Sequence, residues 1–181
     1  MKYIVAEWRQ DEDGEWFFAH SPFPYLDELP NLLSALPAGA RAFASDPEHF
    51  DLGYPSPWRP RHSVKNLKLR SLPPVVPLPA SFDLRFERVP ALGDEVLTIS
   101  YRDVTEVEIR IEDEGEGFDY SDWNSLRLDE ILPHPAGCNH EMAFTDATVK
   151  VTCADLEARW ESPSAGRTGP GALAESRDIS L

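Results

Sequence analysis

At 181 residues, 41% of them hydrophobic, the chain has material for one packed domain or two small ones, and disorder of the whole is excluded. Its formal net charge of −15, from 32 acidic and 17 basic residues, argues against nucleic acid or an anionic membrane as partner and for a basic protein. Two cysteines are too few for a disulfide scaffold, and no apolar run approaches the ~20 residues of a membrane span.

The opening MKYIVAEWRQDEDGE lacks the apolar run of a signal peptide, so the cytoplasm is the expected location. Residues 3–19 predict a hairpin, Tyr3–Trp8 against Trp16–Ala19. Asp13-Gly14 predicts a tight turn with both central residues at positive φ. Phe17 lies on one face and Trp16 and Phe18 on the other, which predicts cover on both sides. In DELPNLLSALPAG, Asp27 is placed to cap a helix from Glu28 to Leu36 with Pro30 in its first turn. Leu29, Leu32, Leu33 and Leu36 form its apolar stripe. A short strand over Ala40–Ala44 then completes a strand–strand–helix–strand unit, the N-terminal subdomain of residues 1–70.

The stretch 55–70 reverses the acidic average with Arg59, Arg61, Lys65, Lys68 and Arg70. Leu67 and Leu69 alternate with Lys68 and Arg70, as in an edge strand whose charges pair with acids of the same chain. SLPPVVPLPA, residues 71–80, reads as an extended proline-rich connector and a candidate boundary. Period-two alternation follows at Phe82–Phe86, Leu97–Tyr101 and Val107–Ile111, and a shorter strand at Leu126–Ile131. Residues 81–161 therefore predict an antiparallel sheet or sandwich, and 162–181 a disordered tail. The fold class is α+β, mostly β.

The segment from Cys138 to Trp160 predicts a closing hairpin with Asp146-Ala147 at its tip. That register sets His140 opposite Cys153, Met142 opposite Val151 and Phe144 opposite Val149. It places Cys138 opposite Asp155, with the thiols diagonal and awkward to bridge. One face carries Cys138, His140, Met142, Phe144, Val149, Val151 and Cys153 and belongs inward. Beyond Cys153 the parity changes, to Leu156, Ala158 and Trp160. A bulge near Ala154-Asp155 explains this, and a short helix is the competing form.

Two constellations offer chemistry. His134, Cys138, His140 and Cys153 have the soft donors zinc takes, but no recognised spacing. His140 beside Cys153 is also the composition of a thiol nucleophile and its base, yet the pair points inward and no oxyanion stabiliser is evident. A core face with buried cysteines and a hydrogen-bonded histidine is the expectation, with no cofactor. The second constellation is the acidic loop EDEGEGFDYSDW, residues 112–123. Its carboxylates miss the register of a calcium loop. Glu116, Asp119, Tyr120, Asp122 and Trp123 instead combine aromatic contact area with acids able to pair a partner's Arg or Lys.

The favoured function is a non-enzymatic, acidic protein-binding domain; the alternative is a small enzyme or zinc protein using His140 and Cys153. NHEMAFTDATVKVTCADLEARW, residues 139–160, resembles closing hairpins of small uncharacterised bacterial proteins, including immunity-type proteins of toxin systems. The resemblance implies neutralisation of a basic toxin by occlusion. It carries over no functional residue, because such families bind through variable surfaces.

Overall fold

The alternating segments become strands in the computed structural model, which describes residues 1–50, 63–74, 76–89, 93–111, 125–144 and 147–161. In chain order the elements are β1 (Val5–Gln10), β2 (Trp16–Ser21), α1 (Phe23–Leu32), α2 (Ala38–Ala44), β3 (Leu67–Ser71), β4 (Ser81–Arg88), β5 (Val96–Arg102), β6 (Glu106–Ile111), β7 (Leu128–His134), β8 (Gly137–Ala143), β9 (Ala147–Cys153) and β10 (Asp155–Glu161). Among the described residues all strand pairing is antiparallel. β1 and β2 form a ribbon of their own. The other strands make two four-stranded sheets, ordered β10-β5-β4-β3 and β6-β9-β8-β7. This is an α+β fold dominated by strands, with an N-terminal helix and strand unit packed on antiparallel sheets.

The first hairpin turns differently from its expected form. Asp11 N donates to Glu15 O at 3.0 Å and Gly14 N to Asp11 O at 3.1 Å, and of this loop only Gly14 has positive φ, 84°. It is a four-residue turn, Asp11–Gly14, whose last residue is a left-handed glycine, not a two-residue Asp-Gly turn. The Asp11 carboxylate accepts the amides of Asp13 and Glu15 and holds the loop. The predicted cover of Trp16, Phe17 and Phe18 falls on side chains outside the described ones.

Helix α1 starts five residues before Glu28. Pro22 and Pro24 preset its first turn, where a missing N–H costs nothing, and Asp27 is exposed rather than capping. Pro30 falls in the last turn, and the α-helix stops two residues beyond it. Ala40–Ala44, expected as a strand, is helical: it forms most of α2, whose Ala40, Phe43 and Ala44 are buried. Small residues here let the helix lie close on β10, a tertiary demand that local alternation does not display.

Asp155 of β10 caps α2 from outside the helix. Its carboxylate accepts Gly39 N at 3.2 Å and Ala40 N at 2.9 Å, and it pairs with Arg102 at 3.0 Å. A Cβ on Gly39 would sit 2.0 Å from the carbonyl oxygen of Leu156. Gly39→Ala must therefore push α2 off β10 and stretch the cap. The expected loss is about 1–3 kcal/mol, the range for overpacking. Urea unfolding checks it; an unchanged midpoint would show that the helix is not held this close.

Residues 71–80 join β3 to β4, which pair with each other in one sheet. β3 is an edge strand with Leu67 and Leu69 buried, and Arg70 donates to Glu87 of β4 at 2.7 Å. Arg59 and Arg61 lie outside the described residues, as does the predicted tail 162–181.

The two sheets meet at a corner. β5 passes through residues 103–105 into β6, and β9 passes through Ala154 into β10. Arg102 faces Asp155 and Glu106 faces Thr152, so residues 103, 104 and 105 oppose only 153 and 154. Ala154 N donates to Arg102 O at 3.0 Å, and Asp103 takes a left-handed φ of 51°. The parity change after Cys153 is thus a change of sheet, with the extra residue on the opposite strand. Leu84, Phe86, Leu97, Ile99 and Tyr101 from one sheet and Cys138, His140, Met142, Val149 and Val151 from the other belong to a single buried core.

Candidate functional site

Strand β7 breaks the alternation rule: Leu128, Asp129, Glu130 and Ile131 are all buried. An edge strand can bury both faces only if something covers the outer one, and here the N-terminal unit does. Tyr25 of α1 places its hydroxyl on the outer edge. It accepts from Ile131 N at 3.1 Å and donates to Ile131 O at 2.9 Å, satisfying two ladder groups no strand reaches. Burial raises the Tyr25 hydroxyl above its ordinary range, the Ile131 bond opposing, so it remains a donor. Glu130 faces the N-terminal segment. Its carboxylate accepts the amides of Lys2, Tyr3 and Ile4 at 2.7, 2.7 and 2.8 Å.

Asp129 points the other way, into the core, and organises the titratable groups there. Its Oδ1 lies 2.7 Å from His49 Nε2 and its Oδ2 lies 2.7 Å from His140 Nε2. His49 follows α2, with the Phe43 ring tilted against it and the Phe50 ring stacked on it, at centroid distances of 4.2 and 4.3 Å. His49 Nδ1 faces the carbonyl oxygen of Phe43 at 3.0 Å. Both His49 nitrogens therefore meet acceptors, and both bonds form only when both nitrogens carry protons. Burial works against that charge, but the Asp129 carboxylate and the two hydrogen bonds outweigh it and hold the His49 pKa above its ordinary value. Asp129 responds in the opposite direction. Burial pushes it up, yet the His49 charge and the bonds from both imidazoles bring it well below the usual carboxylate range.

His140 completes the chain of contacts. Its Nε2 donates to Asp129, and its Nδ1 lies 2.7 Å from the Tyr101 hydroxyl across the sandwich. Burial, with the nearby Cys153 and Asp129, raises Tyr101 well above its ordinary range, so the phenol stays protonated and donates to Nδ1. His49, Asp129, His140 and Tyr101 all have 1% relative exposure or less. Each ring nitrogen of His49 and His140 is engaged by a protein partner.

The closing hairpin keeps its predicted inward face but not its predicted register. Phe144 N donates to Ala147 O at 2.8 Å, and Ala147, expected at the tip, already belongs to β9. His140 faces Val151, Met142 faces Val149, and Cys138 faces Cys153 instead of Asp155. The thiols, expected to be diagonal, are in contact at 3.6 Å. The hydrogen bond between them, together with burial, raises Cys138 well above the thiol range, while the same bond lowers Cys153.

His134 does not join this group. It pairs with Gly137, one position beyond the Pro133–Cys138 pair and so on the opposite face. It is exposed, and its Nδ1 accepts from Ala136 N at 3.2 Å. Among the described residues no three His, Cys, Asp or Glu side chains are grouped to hold a metal ion. Glu116, Asp119, Tyr120, Asp122 and Trp123 lie outside the described residues, between Ile111 at the end of β6 and Ser125, which bridges to Lys68. His49, Asp129, Glu130 and Tyr101 were not singled out as site residues by sequence. The one available signal was the adjacent acid pair in LRLDEIL, set where an inward-facing strand should carry apolar residues.

Compared with protein-family models, curated proteins and solved structures, the chain has no match.

Proposed function

We propose that this is a non-enzymatic acidic domain that captures a basic protein, in the manner of an immunity-type protein occluding a toxin in the cytoplasm. The observation that carries this is the closure of the interior network. His49 and His140 use all four ring nitrogens on protein partners away from solvent, so the groups best suited to catalysis serve the fold. Recognition then falls to the surface, and the surface is acidic. Arg70, Arg102, Arg110 and Arg159 are each paired with a carboxylate of the same chain. Asp11, Glu12, Asp13 and Glu15 at the ribbon tip are exposed. A negative field of this kind speeds encounter with a cationic partner and weakens with salt.

The contact is assigned to Glu116, Asp119, Tyr120, Asp122 and Trp123. The probe is the basic product of the adjacent gene, co-expressed and purified with this chain. Asp119→Lys and Trp123→Ala are each expected to weaken the complex at least about tenfold, ~1.4 kcal/mol, with circular dichroism unchanged. Equal affinity in both variants would remove this loop from the interface. An affinity indifferent to salt would remove the electrostatic reading altogether.

A further inference from the structure

We propose that Cys138 and Cys153 are a redox modification site, a dithiol that closes to an intramolecular disulfide when the folded protein meets a small peroxide. Three observations converge on it. The two residues face each other in register on adjacent antiparallel strands. Facing pairs have Cα atoms roughly 4.5–5.5 Å apart, within the window a disulfide spans. The sulfurs already touch at 3.6 Å, and no other group separates them. The strands are also held close at this end of the hairpin: a Cβ on Gly137, whose φ is 132°, would lie 2.2 Å from the Ala154 carbonyl oxygen. The dithiol therefore stands beside the corner where the chain passes from one sheet to the other, and a covalent link would clamp that corner.

The chemistry balances with hydrogen peroxide as oxidant. Either thiol can donate to the other across this contact; with Cys138 as donor, Cys153 is the sulfur that forms the thiolate, and its proton passes to solvent as the hairpin opens. The Cys153 thiolate attacks one peroxide oxygen, the O–O bond breaks, and the departing hydroxide takes up a proton as water. The sulfur of Cys138 then attacks the resulting sulfenic acid. The S–S bond forms, the S–O bond breaks, and the second hydroxide leaves as water with the Cys138 proton. Two thiols lose two electrons, and one peroxide becomes two waters. Both sulfurs are fully buried, so oxidation must wait for local opening of the hairpin and proceeds more slowly than at an exposed thiol.

The test uses the full chain. The folded protein is treated with hydrogen peroxide, quenched with catalase, unfolded, alkylated with iodoacetamide and weighed intact. The expected product is a monomer lighter by two hydrogens that takes up no alkyl group, returns to two alkylatable thiols with dithiothreitol, and yields one cross-linked peptide joining 138 to 153. Amides of β8 and β9 in the oxidised form should exchange about tenfold more slowly or better. Cys138→Ser should instead leave a sulfenic acid or an intermolecular dimer at Cys153. Three results would overturn the proposal: two free thiols persisting after an exposed-thiol peptide in the same tube is consumed, irreversible sulfinic acid without cross-link, or a disulfide that forms only in urea. The wild-type masses decide the matter even if the serine variant fails to fold.

Discussion

Asp129→Ala is expected to cost about 3–5 kcal/mol, the penalty for leaving a buried charge without its partner. Against a typical total of about 5–15 kcal/mol this takes roughly a fifth of the stability or more. The carboxylate is the acceptor for both His49 and His140, so both imidazoles lose a bond at once. The pH dependence separates this account from simple loss of packing. His49 has a raised folded pKa. Its contribution is complete below the unfolded histidine value of about 6.5 and is lost as pH rises through the folded value. Asp129 has a lowered folded pKa. Its contribution is complete above the unfolded carboxylate value of about 4 and is lost as pH falls through the folded value. The pair therefore stabilises the native state fully between about pH 4 and 6.5 and less on either side. Without Asp129, burial dominates at His49 and the neutral ring is preferred. The variant should then gain stability as pH rises from about 5 to 8, where the wild type's His49 contribution holds or declines. Urea unfolding across that range is the measurement. Parallel curves for wild type and variant would show that His49 carries no buried charge.

Glu130→Ala should act more locally but almost as strongly. One carboxylate accepts three consecutive amides, and each would cost about 1–3 kcal/mol if left buried and unmet. The chain has a cheaper course, which is to release residues 1–4 to solvent. Doing so exposes Ile4, only 5% exposed in the native state. That burial is worth about 1.5–3 kcal/mol, and the expected loss is of this size. Hydrogen exchange should show Lys2, Tyr3 and Ile4 unprotected while the amides of β8 and β9 stay protected. Continued protection at residues 2–4 would mean that the backbone is held by something other than this side chain.

Much of the candidate site was hidden from sequence for identifiable reasons. His49 and Asp129 are separated by 80 positions and meet only because α2 folds onto β10 while β7 offers both faces to neighbours. A lone histidine in DPEHF gives no sign of a carboxylate that distant. The adjacent Asp129 and Glu130 did carry a signal, since two acids in succession inside an apolar strand must each find partners or stay wet. The helix over Ala38–Ala44 gave almost none: seven residues with alanine at every second position resemble a short strand until β10 is there to pack against.

The amino-acid order alone determined the strand-rich class, the acidic surface and the inward face of the closing hairpin, because a period of two decides which side chains share a face. It did not determine that hairpin's register. Sliding one strand by a single residue turns every apolar side chain outward, but the two-residue slip between the predicted and observed pairings keeps the same set inside. The choice between them fell to the Phe144–Ala147 bond at the tip and the close approach of Gly137 to Ala154 at the base. Those contacts set Cys138 against Cys153 and left His140 to Asp129 and Tyr101, a distribution of partners that only packing in three dimensions could assign.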